Sequence, residues 1–124
     1  MERLVGKYIF DPEMNAGKMI FLTGPRQIGK TTFAQNWLAA QHSEDLYFNW
    51  DDPAVVREYK RNPLFFKNVV DERFNRKPLP IVFDEIHKIK NWRTILKGFY
   101  DTNKGRITLL VTGSARLGWY RKSG

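Results

Sequence analysis

The sequence predicts an α/β fold in which a mostly parallel sheet of at least four strands lies between layers of helices. Short apolar runs alternate along the chain with longer segments whose apolar residues recur every three or four positions. Proline follows an Asp or Asn at two points between them, as at many helix starts. Strands that alternate with helices form parallel sheets, because each connecting helix packs back over the sheet. The 124 residues, 42% of them hydrophobic, suit one domain with a buried core.

The first fifty residues are predicted to hold two strands and a helix, after about fifteen residues that form a short helix and a loop. Residues 18–23 (KMIFLT) are a compact apolar run before a glycine, which is typical of a buried strand. Apolar residues at helical spacing predict a helix from Lys30 to about Ala40. Residues 46–50 (LYFNW) predict the second strand.

Two consecutive helices are predicted between Pro53 and about Asn75. Asp52 supplies an N-cap acid before a proline at the first helical position, and Asn62-Pro63 repeats this pattern. The break between the helices is therefore expected before Pro63. Asp51 and Asp52 together resemble metal ligands, but the cap explains Asp52 better.

The second half of the chain is predicted to end the sheet. Residues 76–80 are expected to form a loop, and a third strand begins at Ile81, is too apolar for a sheet edge, and ends at Asp84-Glu85. Residues 106–112 (RITLLVT) predict the fourth strand, and residues 114–124 show no clear element. Between these strands, one helical face is assigned to the core: Trp92, Ile95, Leu96, Phe99 and Tyr100.

Composition excludes several classes of protein. Without cysteine, the chain has no disulfide and no thiolate metal site. It has neither an 18-residue apolar run nor the apolar stretch of a secretory signal, and the absence of cysteine favours a cytoplasmic location. The net charge of +8 lies in residues 51–124, because residues 1–50 carry five basic and five acidic residues. This leaves nucleic acid open as a partner, although a solvated basic surface is favoured because no basic block is long or interleaved with aromatics.

Residues 24–31 (GPRQIGKT) satisfy the P-loop pattern G-x-x-x-x-G-K-[ST] between a predicted strand and a predicted helix. The glycines let successive N–H groups point at a phosphate, and the helix adds its positive dipole end. Lys30 would reach the β- and γ-phosphates, and the Thr31 hydroxyl would ligate Mg²⁺. A glycine turn without a ligand is disfavoured by the strand–loop–helix context. The predicted ATP-binding residues are Gly24, Pro25, Arg26, Gln27, Ile28, Gly29, Lys30, Thr31 and Thr32.

Asp84 and Glu85 end the third strand as a pair of acids. In P-loop ATPases the first acid holds Mg²⁺, directly or through water, and the second polarises the attacking water as general base. The chain is expected to turn at the strand end, so that both acids address one site. A capping or surface acid pair is the alternative. The pair favours an ATPase with a catalytic glutamate over a GTPase, because the glycine of D-x-x-G is absent.

Further candidates lie near the end of the fourth strand. A hydroxyl of Thr112 or Ser114 would sense the γ-phosphate, with Ser114 favoured, and a turn of small residues is an equally open explanation. Arg26 is a candidate contact of the γ-phosphate or a neighbouring subunit, with a solvated side chain as an equally open alternative, and Arg116 is a candidate trans-acting arginine. The remaining candidates are assigned to structure or surface, although His87 and Trp92 could lie beside the site: His42, Trp50, His87 and Trp92.

Four segments together, TGPRQIGKTT, FNWDDP, PIVFDEIHKIKNW and LLVTGSARL, resemble one group of prokaryotic AAA ATPases with a GPRQ-type P-loop, related to archaeal ATPase and STAND-like groups. The resemblance covers about residues 19–117. It implies that residues 24–32 are the Walker A loop, that Asp84 and Glu85 are the Walker B acids, and that Ser114 is the sensor. It also implies that the fourth strand lies between the first and third.

Members of that group are several times longer, so residues 1–124 are expected to be one truncated P-loop ATPase domain without its fifth strand. The first strand would then be an edge that invites self-association. The leading hypothesis is an ATPase core that hydrolyses Mg²⁺-ATP with water activated by Glu85. The alternative is a nucleotide-dependent switch or nucleic-acid-associated module with little turnover, and a small-molecule kinase is a third, weaker possibility.

Overall fold

The computed structural model describes residues 17–23 and 29–113. The strands are β1 (Met19–Thr23), β2 (Tyr47–Asn49), β3 (Leu79–Asp84) and β4 (Ile107–Gly113). The α-helices are α1 (Lys30–Ala39), α2 (Pro53–Arg61), α3 (Phe65–Arg73) and α4 (Trp92–Thr102). Two single-turn 3₁₀-helices, Glu44–Leu46 and Ile86–Lys88, precede β2 and follow β3. None of the described helices has the length and apolar character that a membrane span requires.

All four strands run parallel in the order β1-β4-β3-β2. Each residue of β3 and β4 is buried, as expected for central strands of a sheet covered on both faces. Within the described residues, β1 and β2 form the two edges of the sheet. The predicted α/β class and the predicted place of the fourth strand between the first and third are both confirmed.

Helices cover both faces of the sheet. Successive side chains of a strand point to opposite faces, so neighbouring residues of β3 contact different helices. On one face, Asp84 of β3 contacts Thr31 at the start of α1. On the other face, the ring of Phe83 contacts Phe66 of α3 and Phe99 of α4. Phe83 therefore packs in the aromatic core, whereas its neighbour Asp84 makes polar contacts with the start of α1 on the opposite face.

The start of β3 differs from its predicted position. The strand begins at Leu79, two residues earlier than expected, and the amide of Leu79 donates to the carbonyl of Arg106 at 2.8 Å. Pro80 has no N–H to donate. Its nitrogen faces the β2 side of β3, and β2 begins beside Val82, so β2 does not extend to Pro80. The proline therefore costs no hydrogen bond of the sheet, and the predicted loop over residues 76–80 is too long.

The two predicted helix starts have different outcomes. The side chain of Asp52 accepts a hydrogen bond from the amide of Ala54 at 2.9 Å, which confirms the N-cap of α2. The second start is wrong by two residues, since α3 begins at Phe65. Asn62 instead ends α2 and accepts a hydrogen bond from the amide of Leu64 at 3.1 Å, so it closes the turn between the helices.

Candidate nucleotide-binding site

A polar cleft lies at the carboxyl ends of β2 and β3, where the start of α1 faces the sheet. Ligands of open α/β sheets usually bind at this edge. The cleft brings together Lys30, Thr31 and Thr32 with both acids of the predicted pair, Asp84 and Glu85. The described residues that line it are Gly29, Lys30, Thr31, Thr32, Tyr47, Asn49, Asp51, Asp84 and Glu85.

Gly29 sets the direction in which α1 leaves the loop. Its φ of 74° lies in the left-handed region, which glycine adopts without the steric cost that a side chain would add. The carbonyl of Gly29 accepts a hydrogen bond from the amide of Phe33, so the first turn of α1 begins here. Lys30, only 5% exposed, is thereby placed in the cleft at the positive end of the helix dipole.

Asp84 is a buried carboxylate, 3% exposed, that accepts hydrogen bonds from three hydroxyl groups. Thr31 Oγ1 and Tyr47 Oη both donate to Asp84 Oδ2, at 3.0 and 2.5 Å. Thr112 Oγ1 donates to Asp84 Oδ1 at 2.6 Å. These donors come from α1, β2 and β4, and they replace the water that a buried carboxylate loses.

Tyr47 is a residue of this cleft that we did not predict from the sequence. Tyr47 and Asn49 line the cleft, whereas Phe48 between them contacts Phe66 on the other face, which is the ordinary alternation of a strand. Burial, followed by the hydrogen bond to Asp84 and its charge, raises the pKa of the Tyr47 phenol. Alternation was the available signal, but it shows only that residues 47 and 49 share a face.

Glu85 turns the chain at the end of β3. Its φ of 62° is left-handed, an uncommon conformation for a residue with a side chain, and its amide donates to the carbonyl of Thr112 at 2.8 Å. The turn lets Glu85 line the same cleft as Asp84, although neighbouring strand residues ordinarily face opposite ways. Glu85 Oε1 lies 3.4 Å from His87 Nε2, so His87 lies beside the acid pair.

Asp51 forms the rim of the cleft near β2. Its carboxylate lies 3.3 Å from Lys88 Nζ, and its amide donates to the side chain of Asn49. Within residues 17–23 and 29–113, no group of three or more His, Asp or Glu side chains is arranged to hold a metal ion.

Several predicted site residues lie outside the described residues. They are Gly24, Pro25, Arg26, Gln27, Ile28, Ser114 and Arg116. Thr112, the less favoured of the two candidate hydroxyls, is completely buried and contacts Asp84.

The family model of the AAA domain matches residues 16–124, and the chain belongs to this family of P-loop ATPases. A protein of Methanocaldococcus jannaschii, named only as uncharacterized, is 28% identical over 130 aligned residues. The alignment covers 94% of this chain and 25% of that protein, so the chain spans about a quarter of its relative. No solved structure matches the chain.

Proposed function

We propose that the cleft binds Mg²⁺-ATP and that the chain hydrolyses it, with residues 24–32 holding the phosphates and Glu85 acting as general base. One observation carries the proposal: Thr31 Oγ1, at the start of α1, donates to Asp84 Oδ2 at 3.0 Å although 53 residues separate them. The start of α1 and the acidic end of β3 thus form one site, as ATP hydrolysis requires.

The phosphates are the part of the nucleotide that this cleft suits. Lys30 and the amino-terminal end of α1 supply positive charge and the positive end of a dipole. The cleft has a volume of about 320 Å³, at the lower end of the roughly 300–1,000 Å³ typical of ligand pockets. We therefore infer that the phosphate chain enters the cleft and that the base lies outside it.

The oxygen donors at the cleft fit Mg²⁺, which prefers hard oxygen ligands and is usually held by one or two carboxylates together with substrate phosphates. Thr31 directs its proton to Asp84, which leaves the lone pairs of its hydroxyl oxygen available to a cation. Thr31 and Asp84 would hold the ion, and its charge would neutralise the phosphate oxygens.

Glu85 is suited to accept a proton from the attacking water. Its side chain is 15% exposed, and its backbone is fixed by the hydrogen bond to Thr112. His87 lies against the carboxylate and restricts its position. Ser114, beyond the end of β4, is proposed as the sensor of the γ-phosphate, and a second copy of the chain or a nucleic acid is proposed as a partner.

Lys30→Ala tests the binding step. Removing the ammonium from the cleft should weaken the affinity for a non-hydrolysable ATP analogue with Mg²⁺ by about 10- to 100-fold, the range expected for a lost charged hydrogen bond. Isothermal titration calorimetry measures the change. Lys18→Ala, at an exposed position before β1, is the matched control and should bind like the wild type. Equal affinity in the Lys30→Ala variant would refute the proposed site.

A further inference from the structure

We propose that Tyr47 competes with Mg²⁺ for Asp84 Oδ2 and thereby limits how strongly nucleotide binding depends on the metal. The inference rests on the proposed function, since it concerns the same cleft. It assigns to β2 a role in setting metal affinity, in addition to lining the cleft.

The lone pairs of Asp84 carry the inference. A carboxylate offers about four acceptor positions, two on each oxygen. Oδ2 already accepts from Thr31 and from Tyr47, so both of its positions are filled. Oδ1 accepts from Thr112 on the buried side of the sheet. Three of the four positions are therefore occupied, and a cation beside the Thr31 hydroxyl that is held on Oδ2, directly or through water, replaces one of the two donors to that oxygen.

Tyr47 is the donor that can leave. Thr31 can keep its hydrogen bond to Asp84 while its oxygen lone pairs face a cation. Thr112 is completely buried in β4 and bonds to the other oxygen. Tyr47 is partly exposed and belongs to a strand of only three residues at the edge of the sheet. Its ring can turn into the cleft without breaking a backbone hydrogen bond of the sheet.

The 2.5 Å distance of the Tyr47–Asp84 hydrogen bond indicates that this exchange has a cost. Hydrogen bonds from a hydroxyl to a carboxylate are short and roughly twice as strong as neutral ones. When the nucleotide binds without a metal, the Tyr47–Asp84 hydrogen bond stays in place, so the free-energy cost of breaking it does not lower the affinity.

Tyr47→Phe removes the competing hydroxyl and keeps the aromatic ring. We expect the affinity for a non-hydrolysable ATP analogue in Mg²⁺ to rise by about three- to tenfold, the equivalent of one net hydrogen bond, while the affinity in EDTA stays the same. Calorimetry under both conditions measures the ratio. Tyr59→Phe, which removes a phenol hydroxyl from α2 away from the cleft, is the matched control and should leave both affinities unchanged.

The outcomes separate the two proposals. If wild-type affinity rises with Mg²⁺ and Tyr47→Phe leaves it unchanged or lowers it, the competition is refuted and the proposed function stands. If the wild type binds no nucleotide, or binds it equally in EDTA, both proposals fail.

A second measurement uses the wild-type protein with ¹³C at the Cζ of tyrosine. The resonance that is missing from the Tyr47→Phe spectrum should move when Mg²⁺ and the analogue are added together, and should stay in place with the analogue in EDTA. An unmoved resonance in saturating Mg²⁺ and analogue would overturn the inference.

Discussion

Asp84 and Glu85 are consecutive residues, but their surroundings differ. Asp84 is 3% exposed and is bonded by three hydroxyls, whereas the side chain of Glu85 is 15% exposed and meets His87. Pairs of carboxylates in different environments commonly have different chemical roles. Asp84 is built to remain fixed, and Glu85 is placed where water can reach it.

Glu85→Gln tests this division. The amide keeps the shape of the side chain but cannot accept a proton as a base, so Mg²⁺-ATP affinity should change little while hydrolysis falls by about 10²- to 10⁴-fold. Calorimetry and a phosphate-release assay provide the two readouts. Glu58→Gln, on α2 and paired with Arg61 away from the cleft, controls for loss of an acid.

Hydrolysis at the wild-type rate in the Glu85→Gln variant would exclude Glu85 as the base. A wild type that binds Mg²⁺-ATP and releases no phosphate would instead favour the switch without turnover.

Most elements follow from local patterns, and the two misplaced starts lie beside Pro63 and Pro80. The apolar runs at residues 18–23 and 106–112 predict β1 and β4 to within a residue. The start of β3 is predicted two residues too late, because a proline within a segment argues against a strand there. Only the position of β2, which begins beside Val82, shows that Pro80 costs no hydrogen bond. Asn62-Pro63 has the composition of a helix start, yet the side chain of Asn62 closes a turn.

The residues of the candidate site also differ in whether the sequence alone can predict them. Lys30, Thr31, Asp84 and Glu85 are predictable because each motif has its chemistry within a few consecutive residues. Tyr47 is not, because its bond to Asp84 depends on β2 lying beside β3 in the observed register. Sequence periodicity indicates which side chains share a face, but not which strand is adjacent.

The connection between α3 and the start of β4 depends on Asp71. Its carboxylate accepts from Lys67 in the same helix at 2.9 Å and from Arg106, just before β4, at 2.7 Å. The bond from Lys67 first, and then that from Arg106, lower the pKa of Asp71 from its ordinary 3.8. Asp71 therefore stabilises the folded protein above that pH, and this contribution is lost as the pH falls through the lowered pKa.

Asp71→Asn should lower the urea midpoint modestly at pH 7, because exposed ion pairs contribute little. The difference from the wild type should shrink as the pH falls below 3.8 and through the lowered pKa of Asp71. Glu72→Gln removes an exposed acid from the adjacent position and is the control for the loss of an acid from α3. A difference that stays constant from pH 7 to pH 3 would contradict the assignment.

At the scale of the whole molecule, the polar cleft lies at the carboxyl ends of the strands of a buried parallel sheet. α1 and β3 supply the cleft, and both also contribute to the core through Ala34, Leu38, Val82 and Phe83. A ligand that bridges these two elements stabilises the folded state, because the unfolded chain cannot bind it.

A non-hydrolysable ATP analogue with Mg²⁺ at one hundred times its Kd should add about 2.7 kcal/mol of stability. For a domain of this size the midpoint of thermal unfolding should rise by roughly 10 °C. Adenosine at the same concentration should give a much smaller shift, since it lacks the phosphates that Lys30 and α1 would hold. Differential scanning calorimetry compares the two, and equal shifts would argue against phosphate recognition.

The pairing of β1 with β4 also has a consequence for biosynthesis. Met19 pairs with Leu109, so about 90 residues must be translated after β1 before its partner strand exists. At about 5–20 residues per second this takes roughly 5 to 20 s. For that interval the apolar segment MIFLT lacks its neighbour in the sheet, and chaperones that recognise exposed apolar segments can bind it. Premature termination before β4 would therefore leave an aggregation-prone product.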